Sequence, residues 1–111
     1  MSYEKITVIG NIGDVRIAKS RGGTPYIRIG VAVSQGSGES RTTIWYSYMM
    51  FGGLVETGTK NQKLYKKGRL VLVEGRPVVE IYKDSQGVPS IDRTIVATVA
   101  PHLLDTPPSE H

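Results

Sequence analysis

The stretch Thr42-Thr43-Ile44-Trp45-Tyr46-Ser47-Tyr48-Met49-Met50-Phe51-Gly52-Gly53 holds the chain's only tryptophan and only phenylalanine, with two of its six tyrosines and two of its three methionines. Residues of these types favour sheets, and a strand sends successive side chains to opposite faces. A regular strand over Arg41 to Phe51 therefore puts Trp45, Ser47, Met49 and Phe51 on one face. Ile44, Tyr46, Tyr48 and Met50 take the other, and that set is apolar enough to fill a core or an interface. Trp45 and Phe51 are then free to face outward. A bulge between them would break the partition, because one inserted residue exchanges the faces.

Upstream, Tyr26 to Ser34 alternates in the same way, with Ile27, Ile29, Val31 and Val33 as the core set and Arg28 left accessible on the other face. Tyr3 to Ile9 reads as a first strand, Gly10 to Asp14 as a bulge or a close backbone approach, and Val15 to Ala18 as the continuation of one curved ribbon. Downstream, Gly52 to Gly68 changes to a helical pattern in which Leu54, Val55, Leu64 and Tyr65 form an apolar stripe. Gly58 and Asn61 divide it into two short helices or a helix and a turn. Arg69 to Glu74 and Val78 to Lys83 make a fourth strand bent at Gly75, and Asp84-Ser85-Gln86-Gly87 turns the chain into a fifth from about Ile91 to Val99.

The expected fold class is all-β: a five-stranded oligonucleotide-binding (OB) barrel with a short helical segment between strands three and four. An incomplete sheet packed on a helix is the structural alternative. At 111 residues one domain is expected over 1–100, with 101–111 as a flexible C-terminal tail.

The net charge of +4, with two of the ten acids at Asp105 and Glu110, leaves the body of the chain basic enough to attract a polyanion. Absence of cysteine excludes disulfides, thiolate nucleophiles and cysteine metal sites. His102 and His111 lie near the end without a triad or zinc spacing, and Gly36-Ser37-Gly38-Glu39-Ser40 lacks the spacing and lysine of a phosphate loop. No enzyme activity, cofactor or metal is expected. MSYEKITV lacks a basic leader and a long apolar segment, so no membrane association is expected, and a cytoplasmic or nucleoid-associated location is.

In order and spacing these pieces resemble the DNA-binding domain of the bacterial-type single-stranded DNA-binding protein family. The resemblance is carried by Ile6-Thr7-Val8-Ile9-Gly10-Asn11-Ile12-Gly13, by Gly23 to Val33, by Thr43-Ile44-Trp45 with Phe51-Gly52, and by Lys67-Gly68, Val71, Val73-Glu74-Gly75 and Tyr82 with Asp84 and Gly87. It implies sequence-tolerant attachment to single-stranded DNA, with Trp45, Phe51 and Tyr82 in the places of base-contacting aromatics. It also implies homo-oligomers, a tetramer ahead of a dimer, and replication or repair proteins as partners. The chain departs from the family in the loop Gln35 to Ser40, which lacks the usual aromatic. It departs again after Gly75, where Pro77, Val78, Val79 and Glu80 stand in place of basic residues, and at Ser109-Glu110-His111, which lacks an acidic tip.

A flat ring meets any base without reading its hydrogen-bonding edge, and cations complement the phosphates. Arg28, Arg41 and Arg76 are the leading cationic candidates, because guanidinium bonds phosphate and also stacks on a base. Lys19 and Arg21 in the first hairpin loop, and Lys83 and Arg93 near strand ends, complete the candidate set. Lys60, Lys63, Lys66 and Lys67 read as a solvated helical surface. The expected function is binding and protection of single-stranded DNA during replication, recombination or repair. The alternatives are a primosome-type or RNA-binding OB module, and a structural protein-interaction barrel.

Overall fold

The computed structural model describes residues 3–105. Strand β1 (Ile6–Lys19) is one 14-residue ribbon, followed by β2 (Pro25–Gln35), β3 (Thr42–Met50), helix α1 (Gly53–Lys60), β4 (Leu70–Lys83), β5 (Pro89–Ala97) and β6 (His102–Leu103). Short 3-10 turns occupy Gly38–Ser40 and Gln62–Leu64.

The expectation of a five-stranded barrel is corrected. The strands form a six-stranded sheet in the order β1-β2-β3-β5-β4-β6, with β1–β4 as an additional pairing. The sixth strand arises because the chain after Pro101 returns to β4, where Leu103 lies opposite Val71 and His102 opposite Leu72. Consequently β4 has three partners: β1 along Leu70 to Gly75, β5 along Gly75 to Lys83, and β6. The helical segment between β3 and β4 is present as expected: α1 stops at Asn61 and the second turn follows.

Alternation decides the core. Ile27, Ile29 and Val31 of β2, Tyr48 and Met50 of β3, Val71 and Val73 of β4, Ile95 of β5, and Val8 and Ile12 of β1 all turn inward and are buried. At Gly58 the helix lies so close to this core that a Cβ would stand 2.6 Å from Cδ1 of Ile27 and 2.7 Å from Cε of Met50. A residue that weakens helices in isolation is therefore what lets α1 settle on the sheet. The Tyr48 hydroxyl donates to the Val99 carbonyl, and burial pushes its pKa well above the ordinary phenol value.

β1 serves both ends of the sheet. Ile6 to Asn11 pairs with β4 and Asn11 to Lys19 with β2, with a register shift between Ile12 and Asp14. The apolar parity changes there, from buried Val8 and Ile12 before the bulge to half-buried Val15 and, opposite Ile27 but exposed, Ile17 after it. Asp14, Arg16 and Ala18 accordingly share the other face.

Ordered structure extends past residue 100, where the sequence reading placed the start of a loose tail. Asp105 accepts hydrogen bonds from Arg69 Nε at 3.0 Å and from the Leu70 amide at 2.9 Å, while its carbonyl accepts from Arg69 Nη2 at 2.9 Å. Arg69 is only 5% exposed and also donates to the Leu64 carbonyl, so it ties the segment after α1 to the segment after β6. The remainder of the expected tail, 106–111, lies outside the described residues.

Candidate nucleic-acid interface

The face of the sheet away from the core is built by register. Five consecutive strands contribute one row: Arg16 of β1 opposite Arg28 of β2, Arg28 opposite Met49 of β3, Met49 opposite Val96 of β5, and Val96 opposite Arg76 of β4. The adjoining row is Asp14, Gly30, Ser47, Thr94 and Val78. Three guanidinium groups thus stand across the strands, with small or apolar side chains between them.

Arg16 directly opposite Arg28 is a like-charge pair, which costs stability unless an anion lies nearby. Asp14 supplies a partial answer, its Oδ2 lying 3.2 Å from Arg28 Nη1. It reaches there because Gly30, its cross-strand neighbour, has no side chain: a Cβ at Gly30 would collide with Asp14 Oδ1.

Trp45 stands two residues along β3 from Ser47, opposite Ala32, and is 54% exposed. Its ring crosses β2 and reaches Gly13 at the β1 bulge. Phe51, 39% exposed, closes the other end of β3, with its ring centroid 6.2 Å from that of Tyr26 at an interplanar angle of 45°. Phe51 lies six positions beyond Trp45, a span of about 20 Å that the arginine row crosses.

The remaining candidates divide by position. Arg41 is exposed at the entry to β3, on the Trp45 side, and Lys19 and Arg21 are exposed at the first hairpin, on the Tyr26 and Phe51 side. Tyr82, 50% exposed near the tip of the β4–β5 hairpin, shares the strand parity of Arg76. Between them lies Glu80 opposite Asp92, so two carboxylates interrupt the basic surface before Tyr82 is reached. Lys83 and Arg93 have the opposite parity and lie on the other face of that hairpin, with Val79, Ile81 and Ile91. The structure therefore does not bring Lys83 and Arg93 together with Trp45.

Sequence reading placed Met49 on the face of Trp45 and Tyr26 on that of Arg28 but named neither as a site residue, and it did not place Arg16 on this face at all. Arg16 was legible in one signal: the change of apolar parity between Ile12 and Val15, which requires an extra residue between them. Tyr26 and Met49 were hidden by having ordinary packing roles available. Among the described residues no group of three or more His, Cys, Asp or Glu is placed to hold a metal ion, and no helix is long and apolar enough to cross a membrane.

An open indole on the same face of the sheet as a cross-strand row of guanidiniums is a combination of π-face and positive charge. It coincides with a family match: the model of the single-strand binding protein family covers residues 3–103. The chain belongs to that family. Two solved structures share the fold. One is a Plasmodium falciparum SSB in complex with ssDNA, 19% identical, with a TM-score of 0.67 over 95% of this chain and 97% of that one. The other is a mitochondrial single-stranded DNA binding protein from S. cerevisiae, 20% identical, with a TM-score of 0.63 over 94% of this chain and 97% of that one. Comparison with curated proteins gives no match. The expected bacterial-type assignment is accordingly broadened to the family as a whole, since these two relatives come from Plasmodium and yeast mitochondria.

Proposed function

We propose that the chain binds single-stranded DNA with little sequence preference, along the outer face of β1, β2 and β3, and so coats and protects it during replication, recombination or repair. The observation that carries this reading is the exposed indole of Trp45 on the same face as the Arg16–Arg28–Arg76 row. Trp45 is the principal base platform, and Phe51 with Tyr26 is the second, one at each end of β3. Arg16, Arg28 and Arg76 attract phosphates between them, Arg41 extends the path beyond Trp45, and Lys19 and Arg21 extend it beyond Phe51. Tyr82, beyond Glu80 and Asp92, is a peripheral contact, while Lys83 and Arg93 serve strand wrapped around the hairpin.

Capture is electrostatic and stacking follows. Self-association to a homotetramer extends the path across subunits, and the exposed Ile9 on β1 is in keeping with further burial there. Replication or repair proteins are the fitting protein partners, and the cytoplasm or nucleoid the fitting location.

Titration of oligodeoxythymidine at several salt concentrations, read by tryptophan fluorescence and paired with solution mass, tests the reading. Affinity falls as salt rises, and Trp45→Ala loses ~1–3 kcal/mol of binding whereas Lys63→Ala loses far less. A folded Trp45→Ala protein that binds as tightly as the parent refutes the role of the indole. Equal affinity for matched RNA moves the reading to an RNA-binding module.

A further inference from the structure

The indole of Trp45 reaches β1 at a residue that has no side chain. Gly13 lies in the bulge between Ile12 and Asp14. A Cβ there would stand 2.6 Å from Cη2 of Trp45 and would also collide with Cζ3, whereas the next nearest atom, the Gly30 carbonyl oxygen, lies at an ordinary 3.7 Å. The backbone of Gly13 is outside the left-handed region, so its conformation is open to any residue. What demands glycine at this position is room for the ring.

The path of the ring supports the same conclusion. Trp45 lies opposite Ala32, and Ala32 lies opposite Asn11, so the indole crosses β2 over a single methyl group before it meets the bulge. The outer edge of the ring is set against the bulge, and just over half of the residue stays open to solvent.

We propose that Gly13 is a positioning residue for base stacking: it is the seat that holds the Trp45 indole flat against the sheet with its outer face presented. The proposal rests on the DNA-binding reading above and deepens it. A seated ring has already lost its rotamer freedom, so a base that stacks on it has little ordering left to impose. A methyl group at Gly13 lifts the ring and returns that ordering cost to the binding step. The bulge has a second consequence in the same place, because its extra residue is what turns Asp14 and Arg16 to the outer face beside the ring.

Five proteins test this: the parent, Gly13→Ala, Trp45→Ala, Trp45→Phe and the Gly13→Ala/Trp45→Phe double variant, each titrated into a fluorescently labelled oligodeoxythymidine and followed by anisotropy. Trp45 is the sole tryptophan, so its emission reports the seat directly, without DNA. In Gly13→Ala the emission shifts to longer wavelength and binding weakens about fivefold, less than the roughly tenfold or greater loss in Trp45→Ala. Phenylalanine lacks the outer ring atoms that meet Gly13, so in the Trp45→Phe background Gly13→Ala changes affinity by less than about twofold.

Parent-like emission and affinity in Gly13→Ala, alongside weakened binding in Trp45→Ala, overturn the seat while leaving the DNA reading intact. Equal losses from Gly13→Ala in both backgrounds overturn it as well. Should Gly13→Ala fail to fold, recovery of folding in the double variant supports the seat, and an unfolded double variant refutes it. A parent that binds no oligonucleotide sinks the DNA reading, whereas the emission comparison still decides whether Gly13 seats the ring.

Discussion

Asp14 occupies the position that an incoming phosphate would take beside Arg28, which makes Asp14→Asn an informative perturbation. The carboxylate sits 3.2 Å from the guanidinium, and the two side chains are 62% and 37% exposed. An ion pair this open contributes ~0.2–1 kcal/mol. A phosphate that binds Arg28 has to displace Asp14, so removing the carboxylate returns that energy to binding, a gain of about 1.5- to fivefold. The freed cation also adds close to one phosphate contact, so the plot of log affinity against log salt becomes steeper by ~0.7 for a single strand. The same substitution lowers folding stability by no more than ~1 kcal/mol, because only this exposed pair is lost. The assay is oligodeoxythymidine titration by Trp45 quenching over a range of salt, repeated in an Arg28→Ala background. If Asp14 acts by occupying Arg28, the gain shrinks sharply in that background. An unchanged affinity and slope, or the same gain with and without Arg28, would falsify the displacement argument.

Two further perturbations probe the scaffold. Gly58→Leu forces a side chain between Ile27 and Met50, where even a Cβ is within 2.7 Å of both, and lowers stability by ~1–3 kcal/mol in urea denaturation without shifting Trp45 emission in the folded protein. Asp105 has its pKa held below the ordinary carboxylate value, first by the Leu70 amide and then by Arg69, so its strap contributes fully above the unfolded value of 3.8 and is lost as pH falls through the lower folded value. Protection of the Leu70 amide from hydrogen exchange, taken relative to its intrinsic rate at each pH, is then lost only at the acidic extreme, and in Asp105→Asn that acid-dependent change disappears.

Much of the local structure was legible because it is written in alternation. The apolar parity of Ile27 to Val33 and the partition of Trp45 from Tyr46, Tyr48 and Met50 need only the two-residue repeat of a strand, and burial follows both. The glycines at 10 and 13 announced an irregularity, and the helical stretch broke at Asn61 as its composition predicts. The arrangement of the sheet was not legible in the same way. Periodicity states which face a residue occupies but is silent on which strands are neighbours, so neither the sixth strand at His102–Leu103 nor the three-way partnering of β4 could be read from it.

The candidate site divides along the same line. The residue types were available from the sequence alone: a lone tryptophan in an amphipathic strand, a phenylalanine six positions on, and a surplus of basic over acidic residues. Their companionship was decided by tertiary structure. One extra residue at the β1 bulge turned Arg16 toward Arg28, register set Arg76 in line with both, and parity sent Lys83 and Arg93 to the far side of their hairpin. The physical reason is one of range: side-chain facing is set by backbone geometry over two residues, whereas proximity between strands is set by hydrogen-bond pairing across as many as 69 positions of chain, as between Ile6 and Gly75.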